Sequence, residues 1–339
     1  MFYEPRFYTL PCTVGTKPGR AADNEQIREH IDTRPAVYRS GGTVEVRVKP
    51  PSFDYEAPST LGDAVSLLDA NQFDAKLLAG GQSLMPLLNM RLTRPALLID
   101  LARIPGLDSV REEGGALRVG AMTRQRVLEL SETVRAKLPL LHAGVLHISH
   151  PQNRNQGTVG GSLAHADPAA ELPALSLALN AEFTATGPGG SRTIPARDFF
   201  VTYLTTCLEP SEILTEVRWP LLPSRTGWSV QELARRHGDF ALAGVIATVT
   251  LDAAARCSEA RLVLFGVGAT PLRMGAAEQM LVGQTLDERR LTDAGRAAAE
   301  TIEEPLSDVH ATAEYRRSLA AVMAKRALTE AAARARAAA

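Results

Sequence analysis

The chain has 339 residues, enough for two or three domains that each bury a core, and its 37 basic and 38 acidic residues leave a formal charge of -1. That balance gives no electrostatic footprint for nucleic acid or an anionic membrane, so small molecules and proteins are the expected partners. Cys12, Cys207 and Cys257 form no CxxC pair, which points to neither a zinc site nor a disulfide framework, and three cysteines are too few for a four-cysteine iron–sulfur cluster. No apolar run approaches the roughly 18 residues of a membrane span and no h-region of a signal peptide opens the sequence, so the default expectation is a cytoplasmic, reducing location without a transmembrane segment.

Residues 1–48 mix charges, prolines and glycines without sustained periodicity and read as a disordered tail. One reading takes Val48 as the true start, from an alternative initiation codon, with the upstream residues an artefact of gene calling. A clear pattern begins at Pro50-Pro51-Ser52-Phe53-Asp54-Tyr55. Ser59 or Thr60 caps a helix whose apolar positions Leu61, Ala64, Val65 and Leu68 follow helical spacing. Short strands are expected at Lys76 to Ala79 and at Leu97-Leu98-Ile99, with a glycine segment between them. This first lobe spans 49–106. The second, 107–223, carries a strand at Leu117 to Val119, helices starting near Thr123 and Val134, a second glycine segment, and a helix announced by Asp167-Pro168, with aspartate at the N-cap and proline at the first helical position. Alternation at Ile213, Thr215, Val217 and Trp219 gives a strand, and Leu221 to Ser224 a linker. The last segment, 224–339, contains strands at Trp228 to Arg235, Ala243 to Leu251 and Ala260 to Val267, a turn at His237-Gly238-Asp239, and a final alanine-rich helix from about Thr312. The fold class expected is α+β.

Two segments carry the chemistry. Ala79-Gly80-Gly81-Gln82-Ser83 and Thr158-Val159-Gly160-Gly161-Ser162 each pair adjacent glycines with a hydroxyl or amide side chain. Such backbone can approach a pyrophosphate closely and donate N–H groups to it, so a dinucleotide clamped between two loops is expected. Glu171, on the first turn of the following helix, can accept hydrogen bonds from ribityl or ribose hydroxyls, or it is an acid favoured by the helix dipole. Gly266-Val267-Gly268-Ala269-Thr270-Pro271 starts like a dinucleotide fingerprint but has proline where the third glycine belongs, and reads as a turn at a strand end. His142, His147 and His150 lack the spacing of a helical ligand pair, and no metal site is expected. Tyr203 is either a core aromatic or a ring beside a cofactor. No GxSxG or P-loop is present, and no side chain of this chain is expected to be catalytic.

The ordered blocks Ser52-Phe53-Asp54-Tyr55, Leu78 to Pro86, Asp167 to Pro173, Leu208 to Leu214 and Arg235 to Phe240 make the chain, from Pro51 to about Arg334, resemble the FAD-binding medium subunits of the molybdenum hydroxylases. This is the family of the carbon monoxide dehydrogenase flavoprotein and of the xanthine dehydrogenase flavin domain. The resemblance implies a two-lobed PCMH-type FAD-binding domain followed by an α+β C-terminal domain. It implies that Leu78, Ala79, Gly80, Gly81, Gln82 and Ser83, with Thr158, Val159, Gly160, Gly161 and Ser162, hold the FAD pyrophosphate and adjoining sugar. It further implies that Glu171 binds the ribityl or ribose region, that Ile148 and Leu214 make apolar contacts to flavin or adenine, and that Tyr203 lies beside the isoalloxazine. Gln82 stands where many members have histidine, which implies noncovalent FAD. Ser162 stands where asparagine is common, and Gln231-Glu232 near a position where relatives carry lysine. The implied partners are a small subunit with two [2Fe–2S] clusters and a large molybdopterin subunit, assembled as a dimer of heterotrimers, with NAD⁺, a quinone or another acceptor taking the electrons. A stand-alone FAD-dependent oxidase or dehydrogenase of the same fold is the alternative.

Overall fold

The computed structural model describes residues 38–40, 43–45 and 49–338. In the first of its two units, β1 (Tyr38–Ser40) and β2 (Thr43–Glu45) form an antiparallel hairpin. The expectations for the rest of the 1–48 tail and for a start at Val48 lie outside the described residues.

The second unit opens with β3 (Asp54–Glu56), α1 (Leu61–Asn71), β4 (Ala75–Leu78), α2 (Leu84–Asn89) and β5 (Leu97–Asp100). Thr60 caps α1 by accepting from the Asp63 N–H at 3.1 Å, and the helix buries Ala64, Val65 and Leu68. The three strands form a parallel sheet in the order β3-β5-β4. Ligand sites in parallel sheets lie beyond the carboxyl ends of the strands, and Gly80 and Gly81 follow β4 at that end.

Next come β6 (Val110–Glu113), β7 (Ala116–Gly120), α3 (Gln125–Leu130), α4 (Glu132–Lys137), α5 (Pro139–Val145), α6 (Pro151–Gln156), α7 (Val159–His165) and α8 (Glu171–Ala178). They are followed by β8 (Glu182–Gly187), β9 (Gly190–Pro195), the short α9 (Ala196–Phe199), the hairpin β10 (Phe200–Thr202) and β11 (Thr205–Thr206), and β12 (Ile213–Pro220). An antiparallel sheet of order β6-β7-β12-β8-β9 packs against α8, which is buried along its whole length. Trp219 from β12 and Ser176 from α8 are both fully buried, and the indole N–H donates to the serine hydroxyl at 3.2 Å. Ser176→Ala leaves that N–H unsatisfied and is expected to cost about 1–3 kcal/mol, seen as a lower urea midpoint at unchanged slope.

The remaining residues form β13 (Thr226–Ala234), β14 (Ala241–Leu251), β15 (Cys257–Phe265), β16 (Leu272–Arg273), α10 (Gly275–Leu281), α11 (Glu288–Glu300) and α12 (Ala313–Ala337). The four strands pair in sequence order as an antiparallel sheet. Helix α12, capped by Thr312, lies across β13 and β14 with Ala320, Ala324, Ala327, Ala331, Ala332 and Ala335 buried. The strand-end turn expected at Gly266 to Pro271 is found between β15 and β16.

Two local expectations are corrected. The helix announced by Asp167-Pro168 begins at Glu171, because Asp167 Oδ1 accepts from the Ala169 N–H at 2.9 Å and closes a turn of its own. The second glycine segment is not a free loop: it is the first turn of α7, with Thr158 as N-cap accepting from the Gly161 N–H at 3.0 Å.

Candidate functional site

Leaving β4, the chain turns sharply. Gly81 has φ +70°, the left-handed region that favours glycine, and a Cβ on Gly80 would lie 2.5 Å from the Gln156 carbonyl oxygen and 2.8 Å from the Gly157 Cα. The first glycine loop is therefore seated directly on the junction of α6 and α7, where Arg124 also binds the Gln156 carbonyl through its guanidinium. Among the described residues, no protein acceptor engages the N–H groups of Gly80, Gly81, Gln82 or Ser83. The Gln82 side chain is exposed and folds back to donate to the Gly80 carbonyl at 3.1 Å.

The second segment faces the first. A Cβ on Gly161 would meet Thr158 Oγ1 at 2.7 Å, the Ala79 Cβ at 3.4 Å and the Gly80 N at 3.9 Å. The two segments, about 80 residues apart in sequence, are thus in contact across a surface that carries no side chains at its centre. Their backbones differ in one respect from the expectation of two equivalent amide donors. In α7 the Val159 N–H donates to the Thr123 carbonyl at 2.9 Å, the Gly160 N–H to Ala121 at 2.7 Å and the Gly161 N–H to Thr158 Oγ1. The first loop has the free amides; the second offers close approach and the half-buried Ser162 hydroxyl.

Beyond α7 the other singled-out residues fall along its flanks. Leu214, 5% exposed, sits on β12, and α7 packs against both β12 and β11. Tyr203 stands in the β10–β11 hairpin and is half exposed, which removes the core-aromatic reading. Burial and then the charges of Asp167 and Asp308 raise its hydroxyl above the usual range, so the ring stays neutral. Ile148 is buried at the start of the turn from α5 to α6. That turn is fastened by Arg154, a buried residue that sequence reasoning missed. It donates to the carbonyls of Ile148 at 2.6 Å and Ser149 at 3.1 Å, and pairs with Glu129 at 2.7 Å.

Glu171 is buried at the first position of α8. Burial, and next the nearby charge of Glu232 on β13, push its pKa up to about 8; burial alone pushes Glu232 up to about 7. Three histidines lie nearby: the His150 and His237 rings stack at 6.1 Å, and His147 Nδ1 approaches Glu232 Oε2 to 3.6 Å. His142 is elsewhere occupied, its Nε2 bound to the Glu129 carbonyl at 3.0 Å. A separate cleft of about 1050 Å³ lies between the end of α8, α9 and residues 268–276, but Arg273 there is already paired with Glu278 and Asn180. Burial raises the thiol pKa of Cys207 and of Cys257, the latter to about 11, so neither is a poised thiolate.

Residues 51–222 match the family described as the FAD binding domain in molybdopterin dehydrogenase, and residues 228–331 the carbon monoxide dehydrogenase flavoprotein C-terminal domain. The chain is 43% identical to the alpha subunit of the 6-hydroxypseudooxynicotine dehydrogenase complex of Paenarthrobacter nicotinovorans, covering 85% of this chain and 97% of that one. It is 42% identical to the carbon monoxide dehydrogenase medium chain of Hydrogenophaga pseudoflava, covering 84% and 99%. The fold is similar to a solved structure of carbon monoxide dehydrogenase from that organism, with a TM-score of 0.81 at 43% identity over 84% of this chain and 99% of that one. Quinoline 2-oxidoreductase from Pseudomonas putida 86 superposes equally well, with a TM-score of 0.81 at 37% identity over 85% and 99%. Among the described residues no helix is long and apolar enough to cross a membrane. The geometry suits the cofactor of this family: the unengaged amides of Gly80 to Ser83, beside a contact surface free of side chains, are donors of the kind a diphosphate takes. On its sequence and its fold, the chain belongs to the FAD-binding medium subunits of the molybdenum hydroxylases.

Proposed function

We propose that the protein is the electron-transfer flavin subunit of its complex, receiving electrons from [2Fe–2S] clusters of a small partner subunit and passing them to an external acceptor such as NAD⁺ or a quinone. Substrate hydroxylation then belongs to a large molybdopterin subunit. The observation that supports this reading is the contact between the two glycine segments, where unengaged backbone amides and a surface free of side chains suit a diphosphate. With only three cysteines the chain cannot itself supply the four cysteine ligands of an all-cysteine cluster. Bound FAD supplies the redox chemistry, since a flavin exchanges one electron or two.

In this reading Leu78 to Ser83 cradle the diphosphate through the free amides, and Thr158 to Ser162 close on it from the other side. Glu171 accepts hydrogen bonds from sugar hydroxyls, Ile148 and Leu214 supply apolar walls, and Tyr203 covers a face of the ring. Binding is noncovalent because Gln82 offers no imidazole. The boundaries proposed for the domains are 49–106, 107–223 and 224–339, in a cytoplasmic dimer of heterotrimers. The test is purification of the native complex with flavin, iron and molybdenum analysis, followed by rapid mixing. The flavin is expected to be reduced by the complex's substrate only when all three subunits are present. Reduction of the isolated chain's flavin by a small organic substrate would instead make it a stand-alone oxidase or dehydrogenase.

A further inference from the structure

Glu232 is a carboxylate on β13 whose side chain is withdrawn from solvent. Its side chain is 6% exposed, and its Oε2 has no hydrogen-bond partner among the described residues. His147 Nδ1, at 3.6 Å, is beyond hydrogen-bonding length. Burial and the charge of His237 also hold His147 below its ordinary pKa, so it faces Glu232 as a neutral ring. Arg154, the buried guanidinium nearby, is committed to Glu129 and to the Ile148 and Ser149 carbonyls. Among the described residues no cation pairs with Glu232, and a second buried carboxyl, Glu171, lies near enough for the Glu232 charge to raise its pKa. Two such groups in one water-poor place cannot both ionise cheaply.

We propose that Glu232 and Glu171 form a proton-sharing carboxyl pair that grips an uncharged hydrogen-bonding part of bound FAD, its sugar hydroxyls or ring imide, and does so only while at least one of the two is protonated. This rests on the site assignment proposed above. A protonated carboxyl both donates and accepts, which suits hydroxyl and imide groups and fills the vacant position at Oε2. An anionic phosphate is repelled here and drawn to the free amides of Gly80 to Ser83, so the two ends of the site sort the two ends of the cofactor. The groups that face the pair are Asp167 from the turn before α8, Arg154 from α6, His147 from the end of α5 and His237 from the β13–β14 turn. The burial that raises both carboxyl pKa values places their ionisation near neutral and alkaline pH.

The test is the FAD dissociation constant of the full-length chain, read by flavin fluorescence from pH 6 to pH 9. For the wild type it is expected to rise at least about tenfold over that range, the effect of one unit of differential ionisation. Glu232→Gln, which keeps the shape and the donor-acceptor character of the protonated acid, is expected to bind within about threefold of the wild type at pH 6 and to show little further change up to pH 9. Glu232→Leu removes both capacities and is expected to bind about tenfold more weakly than the wild type at pH 6, the effect of one lost hydrogen bond, with the gap closing towards pH 9. A purely structural Glu232 would instead shift the thermal midpoint of the flavin-free protein and leave the pH slope of FAD binding in place. Tight binding with the wild-type slope retained in Glu232→Gln, or a flat wild-type profile, would overturn this inference alone. No FAD binding at any pH would overturn the site assignment and this inference with it.

Discussion

A Gly81→Val, Gly161→Val double variant is expected to purify folded and colourless, with its FAD affinity lowered at least about a hundredfold, or some 2.7 kcal/mol. At Gly81 the cost is conformational: φ is +70°, and a β-branched residue there is strained by about 1–2 kcal/mol or turns the loop away. At Gly161 it is spatial. The first added carbon lies 2.7 Å from Thr158 Oγ1 and 3.4 Å from the Ala79 Cβ, so valine displaces the cap of α7 and fills the surface on which the two segments meet. Gly114→Ala is the control. Gly114 also has a positive φ, at +59°, but a Cβ there meets nothing within 4 Å. It should cost a comparable backbone strain and leave the flavin absorbance intact. A double variant that purified with full yellow colour would show that the cofactor does not lie between these segments.

The glycine pairs were readable from sequence because the demand they meet is local. A left-handed turn after a short apolar run and a helix start with small residues leave marks within five positions. The expectation was a dinucleotide clamped between the two pairs, and the structure brings Ala79 and Gly161 together. What escaped was the division of labour between them. The Val159 and Gly160 amides are consumed by the carbonyls of Thr123 and Ala121, residues about 35 positions upstream whose strand-end geometry leaves no sequence signature. The same holds for the helix start at Asp167-Pro168, where an aspartate that suits an N-cap equally suits a tight turn, and only the packing of α8 decides between them. Buried charges were the least legible. Arg154 and Glu129 are 25 residues apart, and each reads alone as an ordinary surface residue of a short polar helix. Glu232 left one trace, a carboxylate inside Trp228-Ser229-Val230-Gln231-Glu232-Leu233, but its neighbour Glu171 is 61 positions away.

Arg154→Met is expected to be the most destabilising of the single changes considered, by about 3–5 kcal/mol in chemical denaturation, because it leaves Glu129 as a largely buried carboxylate without its main partner. The Arg154 and Glu129 side chains are 5% and 13% exposed, and the pairing with Arg154, then Arg126, holds the Glu129 pKa below its usual value. A depressed carboxylate contributes stability that is complete above the unfolded-state value near 4.5 and is lost as pH falls through the folded-state value. The wild type should therefore lose this contribution on acidification while Arg154→Met, left with Arg126 alone, has less to lose, and the two stability curves should draw together as pH falls below the unfolded-state value near 4.5. Arg154→Lys should rescue little, because one ammonium cannot replace a planar fork that serves a carboxylate and two carbonyls at once. Glu129→Leu combined with Arg154→Met should recover much of the loss in stability, since removing both charges removes the unpaired one. FAD affinity should not recover with it. Ser149 holds a left-handed φ of +42° where its carbonyl accepts from the Arg154 guanidinium, and with that fastening gone the turn carrying His147, Ile148 and His150 is free to relax away from Glu232 and from the flavin position proposed above. A double variant that regained stability and full FAD affinity together would show that Arg154 serves the fold alone.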